Sequence, residues 1–224
     1  MTHEPDAGPD AGPRAALVAA MARLDAAGMN RGSTGNLSVR SSAGGLWITP
    51  TGMAPEDVGP ADLVELDLQG RVRHGRWQPS SEWPFHVAIY ARRPELQAVV
   101  HAHSPHATAL ACLRRPLPAF HYMVAVAGGR DVPCTPYHLF GSEALSRAVA
   151  DAFAARDACL MANHGLVAGG RTLARALKVA VEVESLCGVY LQALAAGEPV
   201  LLDDAQMDEA LERFRHYGQP QRSA

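Results

Sequence analysis

The stretch Ala98-Val-Val-His-Ala-His103 limits what this chain of 224 residues can fold into more than any other segment. Its apolar residues predict a buried strand, and that strand must carry two imidazoles with it. Residues i and i+2 of a strand point to the same face, so His101 and His103 can converge on one cation. An isolated H-x-H is also common without a metal, so the pair alone leaves both interpretations open.

A third ligand for such a cation has to come from another part of the chain. His164 is the best candidate, because it stands between an apolar stretch and Gly165, where the chain can turn sharply. Three histidines leave one coordination position open, which is typical of a catalytic zinc site. The alternatives are that His164 is a hydrogen-bonded core residue and that His106 competes as a ligand. Further histidines can support the ligands from behind: His86, His121 and His138.

The remaining patterns imply an α/β layered domain, because several short strands lie between helices at both ends. Helices are predicted at residues 13–27, 82–92, 104–113, 139–156, 172–196 and 208–217. Strands are predicted at residues 37–40, 46–49, 63–68, 98–103, 158–161 and 165–168. Residues 1–12 are predicted to be a disordered tail, and residues 13–224 a single domain.

Composition narrows the class of protein. The chain is 48% hydrophobic and 19% charged, and its net charge of -3 argues against a broad nucleic-acid or anionic-membrane surface. The four cysteines form no C-x-x-C pair and are interpreted as reduced thiols of a cytoplasmic protein. Neither a signal peptide nor an 18-residue apolar run is found, so no membrane span is predicted. A Schiff-base mechanism has one candidate lysine, Lys178.

Three segments of small residues can bind an anion: residues 35–38, 49–52 and 80–82. Each presents backbone N–H groups and short polar side chains, and Ser80 or Ser81 can cap a helix that begins at Glu82. No basic residue lies inside the segments, so a phosphate would be bound mainly by neutral dipoles. Ordinary turn and cap chemistry is the simpler explanation for each segment taken alone.

Glu82 also has two interpretations. Acidic residues in the first turn of a helix are favoured by the helix macrodipole, which gives the carboxylate a purely structural role. Beside a metal-bound carbonyl compound, the same carboxylate can remove an α-proton as a general base.

Taken together and in chain order, these segments resemble the class II aldolase/adducin family, and within it most closely the branch that cleaves L-fuculose 1-phosphate. The main matches are residues 33–40, 48–52, 80–83, 99–103 and 163–166. Further matches are residues 118–123, 127–129, 132–137, 140–141, 182–184 and 214–218. One such motif is weak evidence, but the ordered set is specific and covers about residues 14–218.

The resemblance implies a three-layer α/β/α domain with a central, mostly antiparallel sheet. It implies that one Zn2+ ion per subunit is bound by three histidines: His101, His103 and His164. Glu82 matches the catalytic glutamate, which also touches the metal. The implied phosphate-binding residues are Gly35, Asn36, Thr51, Gly52, Ser80 and Ser81.

The resemblance further implies a homotetramer with active sites at subunit interfaces. Tyr122 matches a tyrosine that a neighbouring subunit contributes as a proton donor on the aldehyde side. Phe140 matches a residue that lines the aldehyde pocket, and Tyr217 matches a tyrosine in a C-terminal segment that closes over the site.

The implied reaction is reversible cleavage of a ketose 1-phosphate such as L-fuculose 1-phosphate. The products are dihydroxyacetone phosphate and a small aldehyde such as L-lactaldehyde, formed through a metal-stabilised enediolate, so no lysine imine is required. Three alternatives stay open: a dehydratase resembling methylthioribulose-1-phosphate dehydratase, an epimerase resembling L-ribulose-5-phosphate 4-epimerase, and a metal-free scaffold module as in adducin heads.

Two observations weigh on these alternatives. The epimerase has aspartate where this chain has Glu82, and the intact histidines favour an enzyme over a scaffold. The chain departs from the fuculose branch at Ser104-Pro105-His106 and at Asn163, beside the metal ligands, which can change the aldehyde partner. Manganese and cobalt suit three imidazoles as well as zinc does.

Overall fold

An eight-stranded sheet forms the centre of the computed structural model, which describes residues 8–215. The strands are Asn36–Arg40 (β1), Leu46–Ile48 (β2), Val64–Leu66 (β3), Val72–His74 (β4), Ala98–Ala102 (β5), Cys134–Thr135 (β6), Ala158–Met161 (β7) and Gly165–Gly170 (β8). The α-helices are Ala11–Ala26 (α1), Trp83–Arg92 (α2), Pro105–Cys112 (α3), Glu143–Ala152 (α4), Leu173–Ala196 (α5) and Asp204–Arg215 (α6).

The strand order is β4-β3-β2-β1-β5-β8-β7-β6, and every neighbouring pair is antiparallel except β6 with β7. Strand β5 lies inside the sheet between β1 and β8, and all five of its residues are buried. Its register sets His101 opposite Asn36 of β1 and Val167 of β8. The predicted, mostly antiparallel sheet is therefore confirmed.

Two separate hydrophobic cores cover the two faces of the sheet, because successive strand residues point to opposite faces. Val100 of β5 belongs to the core that α1, α3 and α5 complete. Val99 belongs to the core formed with α2 and α4. The predicted three-layer arrangement is confirmed. His101 shares the face of Val99, and its ring lies edge-on to Phe85 of α2 at 5.5 Å between centroids.

The helix predicted over residues 139–156 is shorter in the structure and corresponds to α4. Gly141 has a φ of 70°, in the left-handed region, so a helix cannot run through it. Ser142 then caps α4 by accepting a hydrogen bond from Leu145 N at 3.1 Å. Phe140 is consequently left in a loop. The sequence analysis also missed β4 and β6, which are edge strands too short to show a periodic pattern.

The disordered tail predicted over residues 1–12 is wrong for its last residues. Helix α1 begins at Ala11, and the Asp10 carboxylate accepts hydrogen bonds from Trp47 Nε1 at 2.8 Å and from Ser42 N at 3.1 Å. The guanidinium of Arg14 lies 4.5 Å from the centroid of the Trp47 ring, which further attaches α1 to β2. Residues 1–7 and Tyr217 lie outside the described residues.

Helix α5 has the length and mean hydropathy of a helix that can cross a membrane, although the sequence analysis found no such run. Its buried face, which includes Ala180 and Val183, belongs to the core shared with α1 and α3. Its other face carries exposed residues such as Lys178. These contacts are those of a core helix in a layered domain.

We expect Asp10→Ala to lower the free energy of unfolding by about 1 kcal/mol, because it leaves the Trp47 indole N–H without its acceptor. Urea denaturation of the variant measures this change. Asp25→Ala, at an exposed position of the same helix, is the matched control and should leave the unfolding midpoint unchanged. Equal midpoints for both variants would show that Asp10 does not attach the N-terminal segment.

Candidate active site

Four side chains that the sequence analysis singled out meet at one end of the sheet: Glu82, His101, His103 and His164. One ligand atom from each lies within 4.8 Å of every other. Nε2 of His101 lies 3.0 Å from Nε2 of His103 and 3.1 Å from Glu82 Oε2, and His164 Nε2 lies 3.1 Å from Glu82 Oε1. Ligands at about 2.0 Å from a tetrahedral ion are separated by about 3.3 Å, so these spacings suit a single cation.

Backbone contacts hold each histidine in place. His101 Nδ1 donates to the Leu166 carbonyl at 2.9 Å across β5 and β8, so its Nε2 faces the other members of the cluster. The amide of His103 donates to Asn30 Oδ1 at 3.0 Å. His164 stands in the tight turn between β7 and β8, after Asn163 with a φ of 55°. A Cβ on Gly165, the next residue, would approach the Ala102 carbonyl to 2.5 Å, so glycine is required there.

The electrostatics of the cluster keep the Glu82 carboxylate charged and the His103 imidazole neutral. Burial raises the pKa of Glu82, but the charges of His101 and His164 outweigh burial and hold that pKa far below its usual range. Burial, together with the charges of His101 and His164, lowers the pKa of His103 to about 4, so its nitrogen is unprotonated at neutral pH. Glu82 Oε1 is buried and lies 3.1 Å from His164 Nε2. Three imidazoles and this carboxylate therefore fit a divalent metal.

A small cavity of about 100 Å³ lies beside the cluster and brings the three small-residue segments together. All six predicted phosphate-binding residues line it: Gly35, Asn36, Thr51, Gly52, Ser80 and Ser81. No Lys or Arg among residues 8–215 lines this cavity, so its donors are neutral amides and hydroxyls. Glycine is required at Gly35, where φ is 75° and a Cβ would lie 2.5 Å from the Asn30 side chain.

Asn36 connects this cavity to the carboxylate. Its Nδ2 donates to Glu82 Oε2 at 2.9 Å, and its Oδ1 lies 2.6 Å from His86 Nε2. The side chain that the sequence analysis assigned to phosphate is therefore also in contact with the candidate base.

A second cavity, of about 270 Å³, opens on the other side of the cluster. Phe140, predicted to line the aldehyde pocket, borders it and is 61% exposed. Tyr137 also borders it, and the sequence analysis did not assign that residue to the pocket. Pro136 and His138 on either side of Tyr137 indicate an extended loop. No pattern in the sequence shows that this loop borders the cavity.

The structure of one chain does not bring Tyr122 to the cluster. Tyr122 is 54% exposed and borders a separate cavity of about 580 Å³ with Lys178 and Glu182 of α5. His106 also lies apart, since its Nδ1 pairs with Glu184 Oε1 at 2.8 Å. The remaining predicted pocket residue, Tyr217, is outside the described residues.

Asn30 is a supporting residue that the sequence analysis missed. It is 4% exposed, and it accepts a hydrogen bond from the amide of His103. Asparagine is common in turns, so the sequence alone does not distinguish this one.

Comparison with known proteins adds independent findings. Residues 15–191 match the family described as Class II Aldolase and Adducin N-terminal domain. The chain is 49% identical over 202 residues to a 5-methylthioribulose-1-phosphate/5-deoxyribulose-1-phosphate aldolase of Rhodospirillum rubrum, covering 90% of each chain. It is 47% identical over 192 residues to an L-fuculose phosphate aldolase of Escherichia coli, covering 85% of this chain and 88% of that one. A solved L-fuculose 1-phosphate aldolase superposes with a TM-score of 0.88 at 39% identity, covering 93% of this chain and 98% of that one.

We expect the purified protein to bind about one divalent ion per chain, and His103→Ala to lose it, because two imidazoles and a carboxylate hold a metal far more weakly. Elemental analysis after dialysis measures the metal content. His74→Ala, on the exposed edge strand β4, is the matched control and should keep the ion. Full occupancy in His103→Ala would refute the ligand assignment.

Proposed function

Because this chain belongs to the class II aldolase and adducin family and is a metal-dependent aldehyde-lyase, we propose that it cleaves a ketose 1-phosphate. The proposed products are dihydroxyacetone phosphate and a small aldehyde, and the proposed metal is zinc. The observation that carries the proposal is the meeting of Glu82 with three histidines between a cavity lined by neutral donors and a second cavity bordered by aromatic rings.

The cavity lined by neutral donors suits the phosphate group of the substrate. Thr51 and Ser81 offer hydroxyls, and the positive φ angles of Gly35 and Gly52 shape loops whose backbone N–H groups can face an anion. Helix α2 begins at Trp83, so its N-terminal dipole adds to the attraction. With the phosphate bound there, the carbonyl end of the substrate reaches the histidines.

The central chemistry is proton transfer at carbon. A divalent cation held by the three histidines would supply Lewis-acid polarisation of the substrate. Glu82 accepts the proton from the hydroxymethyl carbon of dihydroxyacetone phosphate in the synthetic direction and returns it after the carbon–carbon bond breaks in cleavage. We assign this role to Oε1, since Oε2 is held by Asn36.

The second proton belongs to the aldehyde side. We propose that Tyr122 of a neighbouring subunit donates it to the new alkoxide in synthesis and removes it in cleavage, in a homotetramer with sites between subunits. The exposure of Tyr122, away from the cluster of its own chain, supports this arrangement. We propose a cytoplasmic location, which the four cysteines without a disulfide support.

Two kinds of ketose phosphate, three compounds in all, are candidates, and each has a terminal carbon without oxygen. The first is L-fuculose 1-phosphate, whose aldehyde product is L-lactaldehyde. The second is 5-deoxyribulose 1-phosphate or its 5-methylthio analogue, favoured by the 49% identity to an aldolase named for both. Tyr137 and Phe140 offer apolar surface to such a terminus in either case.

We expect dihydroxyacetone phosphate to be released from at least one of these three sugar phosphates, and release to stop when a chelator removes the metal. A coupled assay for dihydroxyacetone phosphate, with mass spectrometry of the second product, distinguishes the substrates. A product that is only a C4 epimer or a dehydrated ketose would replace the aldolase with one of the two alternative enzymes.

We expect Glu82→Gln to keep its metal and to lose activity by roughly 10²- to 10⁴-fold, because the amide cannot accept the substrate proton. Exchange of the hydroxymethyl protons of dihydroxyacetone phosphate with deuterated water isolates this step. Glu65→Gln, on β3 away from the cluster, is the matched control and should exchange at the wild-type rate. Persisting exchange in Glu82→Gln would remove this residue as the base.

A further inference from the structure

A row of polar side chains runs from Glu82 into the interior, beneath α2. Asn36 donates to Glu82, and His86 Nε2 lies 2.6 Å from Asn36 Oδ1. On the other side of the imidazole, His86 Nδ1 lies 2.7 Å from Ser38 Oγ, which lies 2.9 Å from the Tyr90 hydroxyl. His86, Ser38 and Tyr90 are each no more than 1% exposed.

The charge of Glu82 fixes the direction of every hydrogen bond in this row. A carboxylate only accepts, so Asn36 must present its N–H group to Glu82 and its oxygen to His86. His86 must then donate from Nε2, which leaves Nδ1 as an acceptor for the Ser38 hydroxyl. Ser38 in turn accepts from the Tyr90 hydroxyl, so each donor determines the next.

A neutral His86 ring in this row carries its proton on Nε2. Burial, with the charge of His101, lowers the pKa of His86 to about 3, which agrees with a neutral ring at physiological pH. The ring stacks on Phe85 at 4.7 Å between centroids with an interplanar angle of 18°, so it cannot turn freely.

The row of hydrogen bonds decides which end of the Asn36 side-chain amide faces Glu82. The two ends of a carboxamide have almost the same shape, so packing alone does not select which end faces Glu82. If the amide turned over, its oxygen would face the carboxylate, and the N–H group that Glu82 now accepts would point at His86 instead.

We propose that His86 is a positioning residue for the reaction: its Nε2 proton holds the Asn36 amide so that Asn36 donates both to Glu82 and into the phosphate cavity. Nδ2 carries a second hydrogen besides the one given to Glu82, and Asn36 lines that cavity. The same amide thereby links the phosphate-binding loops to the base. This inference rests on the proposed function.

The test compares His86→Phe with His86→Gln in the zinc-loaded protein. The phenyl ring fills the space without a donor, so we expect kcat to fall on the order of 10- to 100-fold, more than KM rises. The acid limb of the pH profile of kcat/KM should move upward by on the order of one unit, because Glu82 loses a donor to its charged form. Glutamine offers an N–H group near the position of Nε2 and should restore most of kcat and the original acid limb.

Ile89→Ala is the control for a merely structural effect. Ile89 is fully buried on the same helix and takes no part in the row, so its truncation should lower the melting temperature and leave the acid limb in place. An acid limb that moves as far in Ile89→Ala as in His86→Phe would overturn the proposal. Wild-type kcat and an unmoved acid limb in His86→Phe would overturn it as well.

A measurement without turnover separates this inference from the proposed function. ¹⁵N spectra of histidine-labelled protein, without metal and with zinc, report which ring nitrogen of His86 carries the proton. We expect the neutral Nε2–H form at neutral pH in both samples, and an Nδ1–H form or a charged ring would refute the inference. A wild-type protein that is inert toward every ketose phosphate would instead refute the proposed function.

Discussion

Antiparallel pairing of β5 with β1 and β8 sets the positions on which the whole site depends. Asn36 begins β1 opposite His101, and Leu166 of β8 supplies the carbonyl that orients the imidazole of His101. A shift of one residue in either register would turn His101 to the opposite face of the sheet, away from Glu82. The same pairing brings Asn36 within reach of the carboxylate. The fold therefore builds the site mainly by fixing two strand registers, and the loops complete it.

Much of the site was predictable because its residues carry local signals. His101 and His103 stand two apart on a buried strand, and small residues gather in the three segments that line the phosphate cavity. The family motifs then identified the reaction class. The support for the cluster could not be predicted in the same way. Asn30 acts through a contact with His103, far away in the sequence, and nothing in its immediate neighbours marks it. His86 was named as a possible supporting residue, but its contact with Asn36 could not be predicted.

The fold was predicted well in its interior and less well at its boundaries. Strand β7 was predicted over its exact residues, because its apolar run ends at a turn. Helix α4 was predicted too long, because the apolar residues Leu139 and Phe140 precede it. The left-handed φ of Gly141 separates them from the helix. The role of Asp10 was missed, since a polar residue near the start of a chain gains its partner, Trp47, only when the sheet has formed. Tertiary contacts decide where such elements begin and end, and the local sequence pattern does not reveal those contacts.

The convergence of Glu82, His101 and His164 also has a mechanical consequence. These residues arrive from the start of α2, from β5 and from the turn between β7 and β8, which are widely separated along the chain. An ion shared by them would act as a reversible cross-link that closes long loops and restricts the unfolded chain. Since any ligand that binds only the folded state stabilises it by mass action, the lifetime of this protein in a cell would follow the local supply of that ion.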